Sequence, residues 1–212
     1  MSSPRYNFSG LQAHTNSIRV GAQRAIRKHR VLLNQAFSDF NKFVANLERL
    51  PPSLDRNVKL ELSCKVFNHV YSGLILAESG LTVDAIVCER SAWETIAFHW
   101  LLCADPEAAS EYEKDDVSRP VEVRRRLEKL GVDISPLREV YSMGCEMAHV
   151  GRQGERFDNQ LQSPMRGSLL FGGKGSLADQ EYLLGYMPQL LYIFQQPPTT
   201  KVFQERPVKL AE

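Results

Sequence analysis

Between a Ser79-Gly80 stop signal and an Asp105-Pro106 break lies LTVDAIVCERSAWETIAFHWLLCA, residues 81–104, with no proline or glycine inside it. A run of that length far exceeds an ordinary strand of about 5–6 residues, so it demands a helix. At helical spacing Val83, Ile86, Val87, Arg90, Glu94, Ala97, Phe98 and Leu101 fall on one face. Two charges one turn apart, Arg90 and Glu94, interrupt that apolar stripe. Burying a charge is costly unless it is paired, and such a pair is seldom a net stabiliser. The pair therefore marks a candidate site as well as a core helix.

The flanking sequence reads as further helices. From Gly10 to Leu50 an apolar side recurs through Ile18, Ala22, Ile26, Leu33, Phe37, Phe40, Val44 and Leu47, with a basic middle at Arg24–Arg30. Its length predicts a kink or break near His29. Pro51-Pro52 stops it, and Ser53 or Asp55 caps a second helix to about Ser79. The near absence of a loop at Ser79-Gly80 predicts that the second helix and residues 81–104 pack antiparallel. A short acidic helix follows Asp105-Pro106, and another runs over 120–130, with Pro120 in its first turn and Gly131 after it. Ser135-Pro136 starts a helix to about Val150. Residues 151–178 carry six glycines and read as a long loop or small β-hairpin. A last helix spans about 179–196, with Pro188 inside it as a candidate kink. The expectation is all-α: an antiparallel bundle of about five or six helices. A flexible arm (1–9) precedes a single helical domain (10–198), and a tail (199–212) follows.

Length and composition narrow the class. The 212 residues suffice for one good core. A net charge of +1 gives no global drive toward nucleic acid or anionic membrane, so any such contact needs a local patch. The N-terminus lacks a secretory signal, and no run of about 18 apolar residues is present, so we expect a cytoplasmic protein without a membrane span. Cys64, Cys88, Cys103 and Cys145 are scattered and form no CxxC, which predicts reduced, mostly buried thiols and no metal site. No cofactor is called for.

Two segments carry a resemblance. GLTVDAIVCERSAWETIAFHWLL resembles a helix of a family of uncharacterised bacterial proteins, and VYSMGCEMAHVG, with Tyr141, Ser142 and His149, resembles the piece that follows it there. The likeness spans about residues 55–195, and that family is in turn similar to HEPN-like helical domains. Many of these are metal-independent ribonucleases of toxin–antitoxin and defence systems; others are non-catalytic. The resemblance implies a helical bundle, frequently a homodimer, with RNA or a nucleotide, or a protein partner, as its ligand. This chain departs from the nuclease pattern of Arg, four to six residues, then His on one helix: after Arg90 the next histidine is His99. Its Arg and His lie on separate predicted helices, as Arg90 and His149. The literal match, Arg24 to His29, falls outside the resembling region.

Two functions follow. In the first, the chain is a HEPN-like, RNA-acting protein of a bacterial defence or toxin-type system, and Arg90, Glu94 and His149 form the site of a metal-independent ribonuclease: His149 as base or acid, Arg90 as phosphate ligand, Glu94 as their orienting carboxylate. Tyr141 and Ser142 would donate to phosphate oxygens, and Arg124 and Arg125 would dock the RNA backbone. In the second, the chain is a non-catalytic partner-binding or dimerisation module, Arg90–Glu94 is structural and His149 caps a helix C-terminus. His99 reads as a core or interface histidine. Phe171-Gly-Gly-Lys-Gly-Ser176 lacks the Walker A spacing and reads as a turn.

Overall fold

A computed structural model describes residues 8–105, 107–114, 119–135, 137–138, 177–196 and 198. Helix α1 spans Phe8–Arg49, α2 Leu54–Glu78, α3 Thr82–Ala104, α4 Ala108–Glu113, α5 Pro120–Lys129 and α6 Leu177–Gln195. No strand occurs among the described residues, and the architecture is an all-α bundle. Ser135, Leu137 and Arg138 are also helical, which is where a further helix was expected to begin. Residues 1–7 of the expected arm, 151–176 of the expected loop or hairpin, and the tail 199–212 lie outside the described residues.

Local chemistry sets the boundaries. Ser53 caps α2: its Oγ accepts the Arg56 N–H at 3.1 Å, while Asp55 adds negative charge to the first turn. Gly80 takes φ 79°, closing α2 with Leu81 N–H donating to Leu76 C=O at 2.9 Å. Gly131 does the same for α5, with φ 78° and Val132 N–H donating to Leu127 C=O at 2.9 Å. Pro120 opens α5, and Glu122 Oε2 accepts the Arg119 N–H at 2.9 Å.

Of the kink or break expected near His29, a break does not occur: the first helix is continuous from Phe8 to Arg49. A packing partner explains its persistence: His29 is buried against Gly185 of α6, and Lys28 forms an ion pair with Glu181. α6 likewise runs through Pro188 and begins two residues earlier than expected.

α1 and α2 are antiparallel. Arg56 donates to the Leu47 and Glu48 carbonyls at one end, and Arg19 donates to Ser79 Oγ at 3.0 Å at the other. α3 returns antiparallel to α2, and α6 runs parallel to α1 and α3. Phe40, Phe43 and His99 all meet Phe194, with ring centroids 6.0, 5.9 and 4.1 Å away. The core gathers Phe40, Val66, Val70, Ile96, Trp100, Leu101, Met187 and Leu190. Trp100 Nε1–H donates to the Gln196 carbonyl at 3.2 Å, tying α3 to the end of α6.

The expected face of α3 is rotated. The buried face of its first half runs through Ala85, Ile86, Glu89, Ala92, Trp93 and Ile96, and every residue from Thr95 to Leu102 is buried. Arg90 and Glu94 sit beside this face, not in its middle. A helix apolar nearly all round gives no unique stripe, so periodicity alone left its phase undetermined.

The thiols also depart from expectation. Cys64 and Cys103 are exposed and Cys88 is half-buried; all three are free. Cys145 lies outside the described residues.

Candidate functional site

The groove between antiparallel α2 and α3 is covered on one side by α4, α5 and Leu137, which leaves a cavity of about 300 Å³. That volume is at the lower end of ordinary small-molecule sites. One group of lining residues is polar: Lys65, His69, Arg90, Ser91, Glu94, Tyr112 and Arg124. The other is apolar: Leu62, Trp93, Ala97, Phe98, Val123 and Leu137.

Arg90 Nε donates to Glu94 Oε1 at 3.0 Å, one turn along α3. Their side chains are 23% and 30% exposed, so the pair is half-buried and open to the cavity. Ser91 and Thr95 hydroxyls donate back to the Val87 and Ser91 carbonyls at 3.0 and 2.9 Å.

His69 enters from α2 and lines the same space. Burial holds its imidazole below the ordinary range; the Glu94 carboxylate pulls it back up, and Lys65 pushes it further down. The ring is therefore largely neutral at pH 7 and has a carboxylate acting on it. Lys65 donates to Tyr112 Oη and to Glu61 Oε1, the latter at 2.9 Å, and Tyr112 Oη donates to Glu61 at 2.5 Å. The Tyr112 hydrogen bond, supported by Glu61, raises the Lys65 ammonium above its usual range, so this cation persists at any ordinary pH.

α5 is fixed over the cavity by Arg126, whose two terminal nitrogens reach Asp105 and Glu111 at 2.5 Å each. The three consecutive arginines thus divide. Arg124 lines the cavity, Arg125 is exposed and outside its lining, and Arg126 is a structural clamp.

Of the residues singled out from sequence, Arg90, Glu94 and Arg124 come together in one cavity. Tyr141, Ser142 and His149 lie outside the described residues, as does the glycine-rich Phe171–Ser176 segment. His99 is a core histidine as expected: it is buried, stacked on Phe194, and pushed down to about 4, chiefly by burial. Of the Arg24–His29 match, Arg24 is exposed and His29 is buried, and neither lines the cavity. His69, Lys65 and Tyr112 escaped the sequence reading. Their signal was the spacing Leu62, Lys65, His69 along one side of α2, next to its apolar stripe.

Among the described residues no group of three or more His, Cys, Asp or Glu side chains could hold a metal ion, and no helix is long and apolar enough to cross a membrane. No family model matches the chain, and no curated protein or solved structure is significantly similar to it.

Proposed function

We propose that this chain is a HEPN-like helical protein that acts on RNA without a metal, in a bacterial defence or toxin-type system, and that the α2–α3 cavity is its site. One observation carries the reading: a neutral imidazole, His69, shares a cavity with the Arg90–Glu94 pair and a persistent ammonium, Lys65. Metal-independent RNA cleavage needs a base for the 2′-hydroxyl and fixed positive charge for the phosphorane. In this reading His69 takes the 2′-proton, and O2′ attacks phosphorus. Arg90 and Lys65 stabilise the charge that develops, and Arg124 holds the approaching phosphate. The 5′-oxygen leaves with a proton from water. Glu94 orients Arg90 and favours the imidazolium that forms on His69. A cytoplasmic location, a homodimer and a silencing protein partner belong to the same proposal.

The histidine of the sequence reading, His149, competes with His69 for the role of base. RNA cleavage in EDTA by His69→Ala and His149→Ala variants separates them: loss in one folded variant only identifies the base.

A second reading has its own support. The apolar lining by Leu62, Trp93, Phe98, Val123 and Leu137 suits a module that binds a ligand or partner without turnover. RNA that binds but is never cut, in any of these proteins, favours that module.

A further inference from the structure

Glu89 is 0% exposed on α3, and among the described residues neither of its carboxylate oxygens has a hydrogen-bond partner. A buried polar group without a partner is uncommon in a well-packed core, and a buried carboxylate without a counter-charge is the costliest form of it. The residues that follow it, Arg90, Ser91, Trp93 and Glu94, form the α3 wall of the cavity. Glu89 itself is not among the residues that line the cavity; it belongs to the buried residues of α3, with Ala85, Ile86 and Ala92.

No charged neighbour among the described residues accounts for it. On its own helix Arg90 is engaged with Glu94 in the cavity. Among the described residues of α2, α4, α5 and α6, no charged side chain acts on it. Burial is the sole cause, and it pushes the carboxyl up to about 7. Burial favours the protonated acid over the carboxylate in this environment.

We propose that Glu89 is a proton-operated latch on the cavity wall: protonated, it lets α3 seat in the bundle and hold Arg90, Trp93 and Glu94 in place; ionised, it loosens α3 and opens that wall. The latch depends on the packing of α3 and stands whether or not the cavity acts on RNA.

Hydrogen exchange of the full chain tests it. With a buried acid near 7 and an exposed one near 4.5, linkage predicts that the opening equilibrium of α3 rises roughly tenfold between pH 6 and pH 8, after correction for intrinsic exchange. Glu89→Gln, neutral at every pH, is expected to abolish that rise. Protection of α3 that is equal at pH 6 and pH 8 in the wild type, or that falls equally in the Gln variant, would overturn the latch. The Glu89 side-chain carboxyl carbon, followed by NMR in the wild type, decides the matter should the variant fail to fold. A midpoint near 7 supports the latch, and one in the ordinary carboxylate range sinks it.

Discussion

The His99 ring lies on Phe194, centroids 4.1 Å apart and 24° from parallel, and this stack joins α3 to α6 inside the core. The imidazole is neutral there, its pKa lowered from 6.5 to about 4. On acidification the unfolded chain takes up the proton first. Stability is therefore fully present above pH 6.5 and is lost as pH falls toward 4, by on the order of 3 kcal/mol. Replacing His99 with Phe keeps the stack and removes the titration. Urea unfolding at pH 6.5 and pH 4 should show a shallower acid loss in His99→Phe than in the wild type. Equal losses would contradict the assignment.

Gly73 lets α2 approach α3 and α6 closely. A Cβ at that position would sit 2.1 Å from Met187 Cε and 3.3 Å from Cys88 Cβ. Met187 is fully buried, so its methyl cannot simply swing into solvent. Gly73→Ala should destabilise the bundle by about 1–3 kcal/mol despite the better helix propensity of alanine. Chemical denaturation measures this, and an unchanged or raised midpoint would show that the helices are not in such contact.

Arg126 bridges α5 to both Asp105 and Glu111, with a side chain that is mostly shielded. Arg126→Met leaves two carboxylates without their cation and should cost about 1–2 kcal/mol, discounted for solvent screening. Because α5 covers the cavity, the same variant should weaken the RNA binding proposed for this site without touching the ligand. Wild-type affinity at full folding would place α5 outside the site's support.

Arg90→Met tests the pair itself. A fully buried pair would make this change strongly destabilising. The half-exposed pair found on α3 predicts a loss of only about 1 kcal/mol. The proposed RNA cleavage should fall far more than stability, since the guanidinium lines the cavity. A melting temperature lowered by many degrees would show that the pair is a core element and not a site.

The helices were legible because each carries its own punctuation: Ser53 as cap, Gly80 and Gly131 as left-handed stops, Pro51-Pro52 and Pro120 at boundaries. What periodicity could not supply was rotation. α3 is apolar almost all round, so its periodicity put Arg90 and Glu94 in the core and passed over Glu89, the acid that is buried there. The cavity was half legible for a related reason. Arg90, Glu94 and Arg124 stood out as charges on amphipathic helices. His69, Lys65 and Tyr112 acquire meaning only when α2 folds back against α3 and α4 closes over them. The continuity of α1 through His29 was likewise decided by a distant residue, Gly185.

RNA cleavage by the purified chain in the presence of EDTA, with His69→Ala and His149→Ala beside the wild type, tests the central claim most directly. The account predicts metal-independent cleavage that His69→Ala abolishes while its thermal melt stays near that of the wild type. Cleavage that survives in a folded His69→Ala protein, or is lost only in His149→Ala, would contradict the α2–α3 cavity as the source of the base.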